Sequence, residues 1–315
     1  MARSDLVYVL IKYALEGDIM AVREIAEVVS VEERAKQHTV FSEKIDELLG
    51  KEKTDSEEYD YSRKIKGNMF FEKQPMIGFE HLILSDKVLE ECNNLVEEQN
   101  RSELLQSYGV EPRNRVLLVG KGGNGKTTLA EAIADSLMLP LIVARYDSLI
   151  SSDVDETVAR FNSLFEYSVN RQCVLFFDDI ETIVRDKNMS VVLSSLLMLI
   201  DKLPSFVMVI AATNNEALLD SALLRRFQLK IDLPNPSLGD LVAFYKLFEE
   251  EHNFSFGVPF NEIAEKTVGK SYKDAVAFAM GIYRAFVLDL RTSDAKKITE
   301  RVLKSYERKE WGFLL

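Results

Sequence analysis

Gly120-Lys121-Gly122-Gly123-Asn124-Gly125-Lys126-Thr127 decides how the rest of the chain is read. It follows the apolar run Val116-Leu117-Leu118-Val119 and leads into Thr128-Leu129-Ala130-Glu131-Ala132-Ile133. A strand therefore turns through glycines into a helix, and the turn fits G-x-x-x-x-G-K-[ST]. Glycines let successive backbone N–H groups converge on phosphate oxygens, and the helix that follows presents its positive end to the same charge. Lys126 has the reach for β- and γ-phosphates, and the Thr127 hydroxyl is a ligand for Mg²⁺. The candidate nucleotide contacts are Gly120, Gly122, Gly123, Asn124, Gly125, Lys126, Thr127 and Thr128. An ordinary glycine turn would not require Lys-Thr at this offset.

Working outward, Val174-Leu175-Phe176-Phe177 is a second apolar run, ending on Asp178-Asp179-Ile180-Glu181. A carboxylate at the end of a buried strand in a phosphate-loop fold is placed to hold the metal shell, which assigns Asp178 to Mg²⁺ together with Thr127. Asp179, next along, is the candidate for polarising the attacking water. Further strands are expected at Leu141–Ala144, Val207–Ala211 and Leu229–Leu233. Helical patterns fall between the runs at Thr128–Leu137, Val158–Val169 and Val191–Leu203. Alternating β and α elements imply a parallel sheet covered on both faces. The fold class expected is α/β, a phosphate-loop NTPase with a five-stranded parallel sheet and a C-terminal helical lid, plus an N-terminal helical domain.

The boundaries follow composition. Residues 1–50 read as three amphipathic helices, the third running from about Val31 to Leu49. Residues 51–68 are charged and read as a linker, 69–236 hold the α/β unit, and 237–315 form a helical lid with the apolar tail Trp311-Gly312-Phe313-Leu314-Leu315. The tail is expected to dock on the lid, the alternative being insertion into another protein.

Totals narrow the classes. Of 315 residues 47% are hydrophobic, enough for a real core. A balance of 39 basic against 51 acidic residues, net −12, argues against sequence-independent nucleic-acid binding. Two cysteines, Cys92 and Cys173, make no disulfide framework and read as reduced core thiols. The first apolar segment is interrupted by Lys12 and followed by Glu16 and Asp18, unlike a signal peptide, and no apolar stretch approaches the ~18 residues of a membrane span. A soluble, cytoplasmic protein is expected. His38, His81 and His252 are scattered and suggest no metal site.

With both motifs in place, Val209-Ile210-Ala211-Ala212-Thr213-Asn214-Asn215 and Leu219-Asp220-Ser221-Ala222-Leu223-Leu224-Arg225-Arg226-Phe227 resemble the second half of an AAA ATPase module. The pattern is similar to the single-ring group that includes spastin, katanin and the vacuolar-sorting ATPases, and to related small bacterial AAA proteins. The resemblance runs from roughly Phe79 to Leu290. It implies ATP with Mg²⁺, and a homo-oligomeric ring, hexameric in the family. Asn214 matches the sensor that hydrogen-bonds the attacking water or the γ-phosphate. Arg225 and Arg226 match the paired arginines that reach into a neighbouring subunit's site. Such a guanidinium offsets transition-state charge and is worth about 10³–10⁵ in rate. Lys273, in Ser271-Tyr272-Lys273-Asp274-Ala275, falls where the family often has Ser-Gly-Ala-Asp, and is a candidate phosphate contact.

Three departures stand out. Lys121-Gly122 replaces a proline-bearing loop. Asp178-Asp179 replaces Asp-Glu, so the catalytic carboxylate is one methylene short, and a misplacement of about 1 Å can cost ~10²-fold. Slow turnover is expected. In Ile150-Ser151-Ser152-Asp153-Val154-Asp155-Glu156-Thr157, Asp153 occupies the position from which unfolding members project an aromatic into the pore. Three functions follow. One is an ATP-driven ring that remodels a protein partner recruited by the N-terminal helices. Another is a nucleotide-dependent assembly switch with slow hydrolysis and no threading. The third, a DNA-directed motor, is weakened by the acidic balance.

Overall fold

The computed structural model describes residues 4–16, 19–36, 38–49, 69–184, 190–288 and 295–307. The 51–68 linker and the tail at 311–315 lie outside them. Three helices open the chain: α1 (Ser4–Glu16), α2 (Ile19–Ala35) and α3 (Thr39–Leu48). The expected helix from Val31 to Leu49 is corrected here, since Val31–Ala35 belong to α2. There the amide of His38 donates back to the Glu33 carbonyl at 2.9 Å and its ring Nδ1 lies 2.5 Å from the Glu33 carboxylate. These bonds close off α2, and α3 begins one residue later. Ser30 donates to Asp46 at 2.8 Å across the α2–α3 pair, and Lys44 on α3 reaches Asp135 of the α/β unit at 2.7 Å.

Next come β1 (Phe70–Lys73), α4 (Asp86–Asn100), α5 (Ser102–Ser107), β2 (Arg115–Val119), α6 (Lys126–Ser136), β3 (Leu141–Ala144), α7 (Tyr146–Leu149), α8 (Val154–Val169) and β4 (Val174–Phe177). They are followed by α9 (Glu181–Val184), α10 (Ser190–Lys202), β5 (Met208–Thr213), α11 (Ser221–Leu224) and β6 (Leu229–Asp232). The lid is α12 (Leu238–His252), α13 (Phe260–Thr267), α14 (Tyr272–Leu288) and α15 (Ala295–Glu307).

The strands form one sheet in the order β1-β3-β4-β5-β2-β6. The five expected strands are present and mutually parallel; β1 is an addition, pairing antiparallel with β3. β1 alternates half-buried and exposed residues, and it is an edge strand that needs β3 to define it. β3, β4 and β5 are buried at every position, as strands covered on both faces must be. One face packs Leu117, Leu175, Phe177 and Val209 against α8 and α10. The other packs Val116, Leu118, Phe176 and Ile210 against α4 and α6. The lid has a separate core of Leu241, Tyr245, Phe256, Ile263 and Phe278. Parallel strands in this register bring the carboxyl ends of β2, β4 and β5 to one rim, where ligands of open α/β sheets bind.

Candidate active site

The loop after β2 is shaped by its glycines. Gly120 passes so close to β6 that an added Cβ would lie 2.3 Å from the Leu233 carbonyl oxygen. Gly123 and Gly125 adopt φ of +85° and +82°, the left-handed region that glycine enters without steric cost. Gly125 is the N-cap of α6 and offers no side chain, which leaves the first N–H groups of the helix to an anion. Asn124 is buried and holds the loop from behind, its amide donating to Asn235 Oδ1 at 2.9 Å and to the Leu233 carbonyl at 3.3 Å. The amide nitrogen of Asn124 is thus engaged behind the loop, which leaves its backbone as the nucleotide contact, while its buried Oδ1 has no partner among the described residues. Gly120 likewise lies behind the loop.

Lys126 is buried, and its ammonium donates to the carbonyls of Gly120 at 2.7 Å and Lys121 at 3.1 Å and to Asn214 Oδ1 at 2.8 Å. Burial lowers its pKa, while Asp178, Asp179 and Glu181 act in the opposite direction. Thr127 donates to Asp178 Oδ2 at 2.9 Å. Two hard oxygen donors thus meet at the end of β4, a donor set that fits Mg²⁺, which takes one or two protein oxygens and completes its shell with water and phosphate. Thr127 and Asp178 would hold the ion, and a bound Mg²⁺ would neutralise phosphate charge.

Asp179 sits at φ +48°, a left-handed conformation that Asp tolerates better than most residues. The amide of Asn214, at the end of β5, donates to its carboxylate. Asp179 is held above the usual carboxylate range, first by partial burial and then by Asp178 and Glu181; Lys126 and the Asn214 bond pull the other way. A carboxylate with a raised pKa on the wall of the same cleft as Lys126 is suited to accept a proton from water.

One functional neighbour was missed in the sequence. Glu181, fully buried, accepts the backbone N–H of Asn214 at 3.1 Å and so fixes the residue that bridges Lys126 and Asp179. Its other oxygen and the buried Tyr146 hydroxyl have no hydrogen-bond partner among the described residues. The acidic residue three places after Asp178 was the available signal.

These groups line a cleft of about 550 Å³ shared by Gly122–Thr128, Asp178, Asp179, Asn214 and the lid residue Lys273. Thr128 is on its wall. Lys273 is tied to the loop by its backbone, N–H to the Gly123 carbonyl at 3.0 Å. Leu82, Ile83, Leu84, Phe244, Tyr272 and Val276 form an apolar half that sequence reading did not assemble.

Arg225 and Arg226, after α11, line no part of this cleft. They are not equivalent. Arg226 Nε is 2.8 Å from Asp201 Oδ2, with Arg115 approaching the same carboxylate at 3.3 Å, whereas Arg225 is exposed. Asp153, placed by alignment at the pore, is the N-cap of α8, its carboxylate accepting the N–H of Asp155 at 2.8 Å and of Glu156 at 3.4 Å.

A glycine loop between strand and helix, with its lysine facing strand-end carboxylates, defines a phosphate-loop nucleoside triphosphatase. Comparison with known proteins narrows the class. The profile of the ATPase family associated with various cellular activities (AAA) matches residues 116–235. An uncharacterized AAA family ATPase, y4kL, of Sinorhizobium fredii is 28% identical over 99% of this chain and 98% of its own length. An ATP-dependent zinc metalloprotease FtsH of Methylococcus capsulatus is 30% identical over 71% of this chain, and a proteasome-activating nucleotidase of Thermococcus onnurineus is 29% identical over 75%. This chain spans only 38% and 64% of those two proteins. Residues 116–235 thus carry an AAA ATPase domain, and the chain is an ATP-hydrolysing enzyme. Among the described residues no helix is long and apolar enough to cross a membrane.

Proposed function

We propose that this ATPase works as a homo-oligomeric, hexameric ring in the cytoplasm and remodels a protein partner. The observation that carries the reading is the separation of its parts. Lys126, Thr127, Asp178, Asp179 and Asn214 converge on one cleft, while Arg225 stands exposed outside it. Among the described residues this cleft has its base, sensor and metal-facing groups but no arginine, which favours one supplied by a neighbour. ATP with Mg²⁺ is the ligand, contacted by Gly122–Thr128 and Lys273. The likeness to two relatives named for protein degradation, a metalloprotease and a proteasome-activating nucleotidase, favours a protein substrate over a nucleic acid. We divide the chain as 1–50 for partner recruitment, 51–68 as linker, 69–236 for catalysis and 237–315 as lid.

Steady-state hydrolysis against protein concentration tests this. Specific activity that rises steeply supports sites shared between subunits; activity independent of concentration, in a protein that stays monomeric, rejects the ring.

A second reading, an assembly switch with slow hydrolysis, is favoured by Asp153. Its carboxylate caps α8 beside the exposed Asp155 and Glu156, and the resemblance aligns this acidic segment with the aromatic grip of threading rings. Unfolding of a tagged substrate by the assembled protein would exclude the switch.

A further inference from the structure

The first turn of the lid helix α14 is fastened to the α/β unit at two points on the wall of the cleft. At the phosphate end, Lys273 N–H donates to the Gly123 carbonyl at 3.0 Å, and an added Cβ on Gly123 would lie 2.8 Å from the Lys273 Cβ. Behind this contact Asn235 links Asn124 to the Gly269 carbonyl, each bond 2.9 Å. One residue earlier, the Tyr272 hydroxyl donates to the Ile83 carbonyl at 3.2 Å. Its ring stands edge-on to Phe244, 6.2 Å between centroids. Tyr272, Ile83 and Phe244 all line the cleft, together with Leu82, Leu84 and Val276.

With the Tyr272 bond made, the cleft still measures about 550 Å³, within the ~300–1,000 Å³ of small-molecule sites. The fastened lid is therefore compatible with an occupied cleft. Once Gly122–Thr128 take the phosphates, the apolar wall is left for the base and ribose.

We propose that Tyr272 is a positioning residue for nucleotide binding, its hydroxyl latching the lid to the Ile83 carbonyl and so preforming the base end of the cleft. The proposal rests on the ATP reading of this cleft. A preformed wall spares the nucleotide the cost of ordering the lid as it binds, so the latch acts on affinity. It touches neither Asp179 nor Asn214 and has no part in the chemical step. The adjoining Lys273–Gly123 bond keeps the phosphate end in place without it.

Tyr272→Phe removes the hydroxyl and keeps the ring. One neutral hydrogen bond corresponds to a change of about three- to tenfold. At a concentration where the wild-type protein is fully active, the variant is expected to raise KM for ATP and Kd for ADP by that factor, with kcat at saturation within about twofold. Tyr272→Ala should weaken both further. KM and Kd unchanged in Tyr272→Phe, or a loss confined to kcat, would overturn the latch. A wild-type protein that binds neither ATP nor ADP would overturn the reading of the cleft itself, a result distinct from either.

Discussion

The side-chain oxygen of Asn214 lies 2.8 Å from Nζ of Lys126. Through its amide nitrogen the same side chain holds Asp179, and its backbone N–H is held by Glu181 at 3.1 Å. One residue at the end of β5 thus joins the cation of the phosphate loop to the carboxylate proposed as the base.

Lys126→Ala should abolish measurable hydrolysis, at least about 10²-fold, as expected when a preorganised donor to transition-state charge is removed. Asn214→Ala is expected to lower kcat by a similar order while ATP remains bound. Single-turnover kinetics beside nucleotide titration separates the two effects.

Asp179 presents a trade-off. Glu would supply the missing methylene, yet the φ of +48° suits Asp better than a longer side chain. Asp179→Glu is expected to raise kcat by up to about tenfold, with a loss of roughly 0.5–1 kcal/mol in stability. Asp179→Asn should bind ATP and not hydrolyse it. Equal rates in all three proteins would remove Asp179 from the mechanism.

The direction of the Asp179 shift sets a pH dependence. Its pKa is raised in the folded protein, so the ionised form that can act as base is lost as pH falls through a value above that of an ordinary aspartate. The acid limb of kcat should reflect this. For folding the sign is reversed: Asp179 contributes stability fully present below its unfolded pKa and lost as pH rises through the folded one. Glu181→Gln removes a neighbouring negative charge and should move the acid limb to lower pH.

Arg225 and Arg226 should separate on mutation. Arg225→Ala is expected to reduce activity by about 10³–10⁵-fold and to remove its concentration dependence. Mixing it with Lys126→Ala should recover part of the activity, since each variant supplies what the other lacks. Arg226→Ala breaks a half-exposed pair with Asp201 and should cost only about 0.2–1 kcal/mol. Loss of hydrolysis in Arg226→Ala alone would reverse the assignment.

Gly120→Ala tests the packing behind the loop. A Cβ 2.3 Å from the Leu233 carbonyl forces the loop or β6 to move, which should lower stability by about 1–3 kcal/mol and weaken ATP binding. Thermal unfolding with and without ATP reports both.

The local sequence was sufficient for the phosphate loop, the five parallel strands and the carboxylates, because each is dictated by neighbours in the chain. Glycine offsets set the loop, apolar runs set the buried strands, and Asp178 follows β4 directly. The edge strand Phe70–Lys73 escaped because its definition is the pairing with β3. The N-terminal helices were divided wrongly because the bond from His38 to Glu33, which closes α2, is a matter of three-dimensional turn geometry. Only the tertiary structure separated Arg225 from Arg226, since Asp201 comes from another helix. It alone brought Glu181 to Asn214 and Tyr272 to Ile83, contacts across 33 and 189 positions of chain. The cap role of Asp153, by contrast, is local, since its carboxylate accepts from N–H groups two and three residues further on. Residue type and spacing determined which chemistry this protein carries. Long-range packing decided which side chains are held in place and which remain exposed.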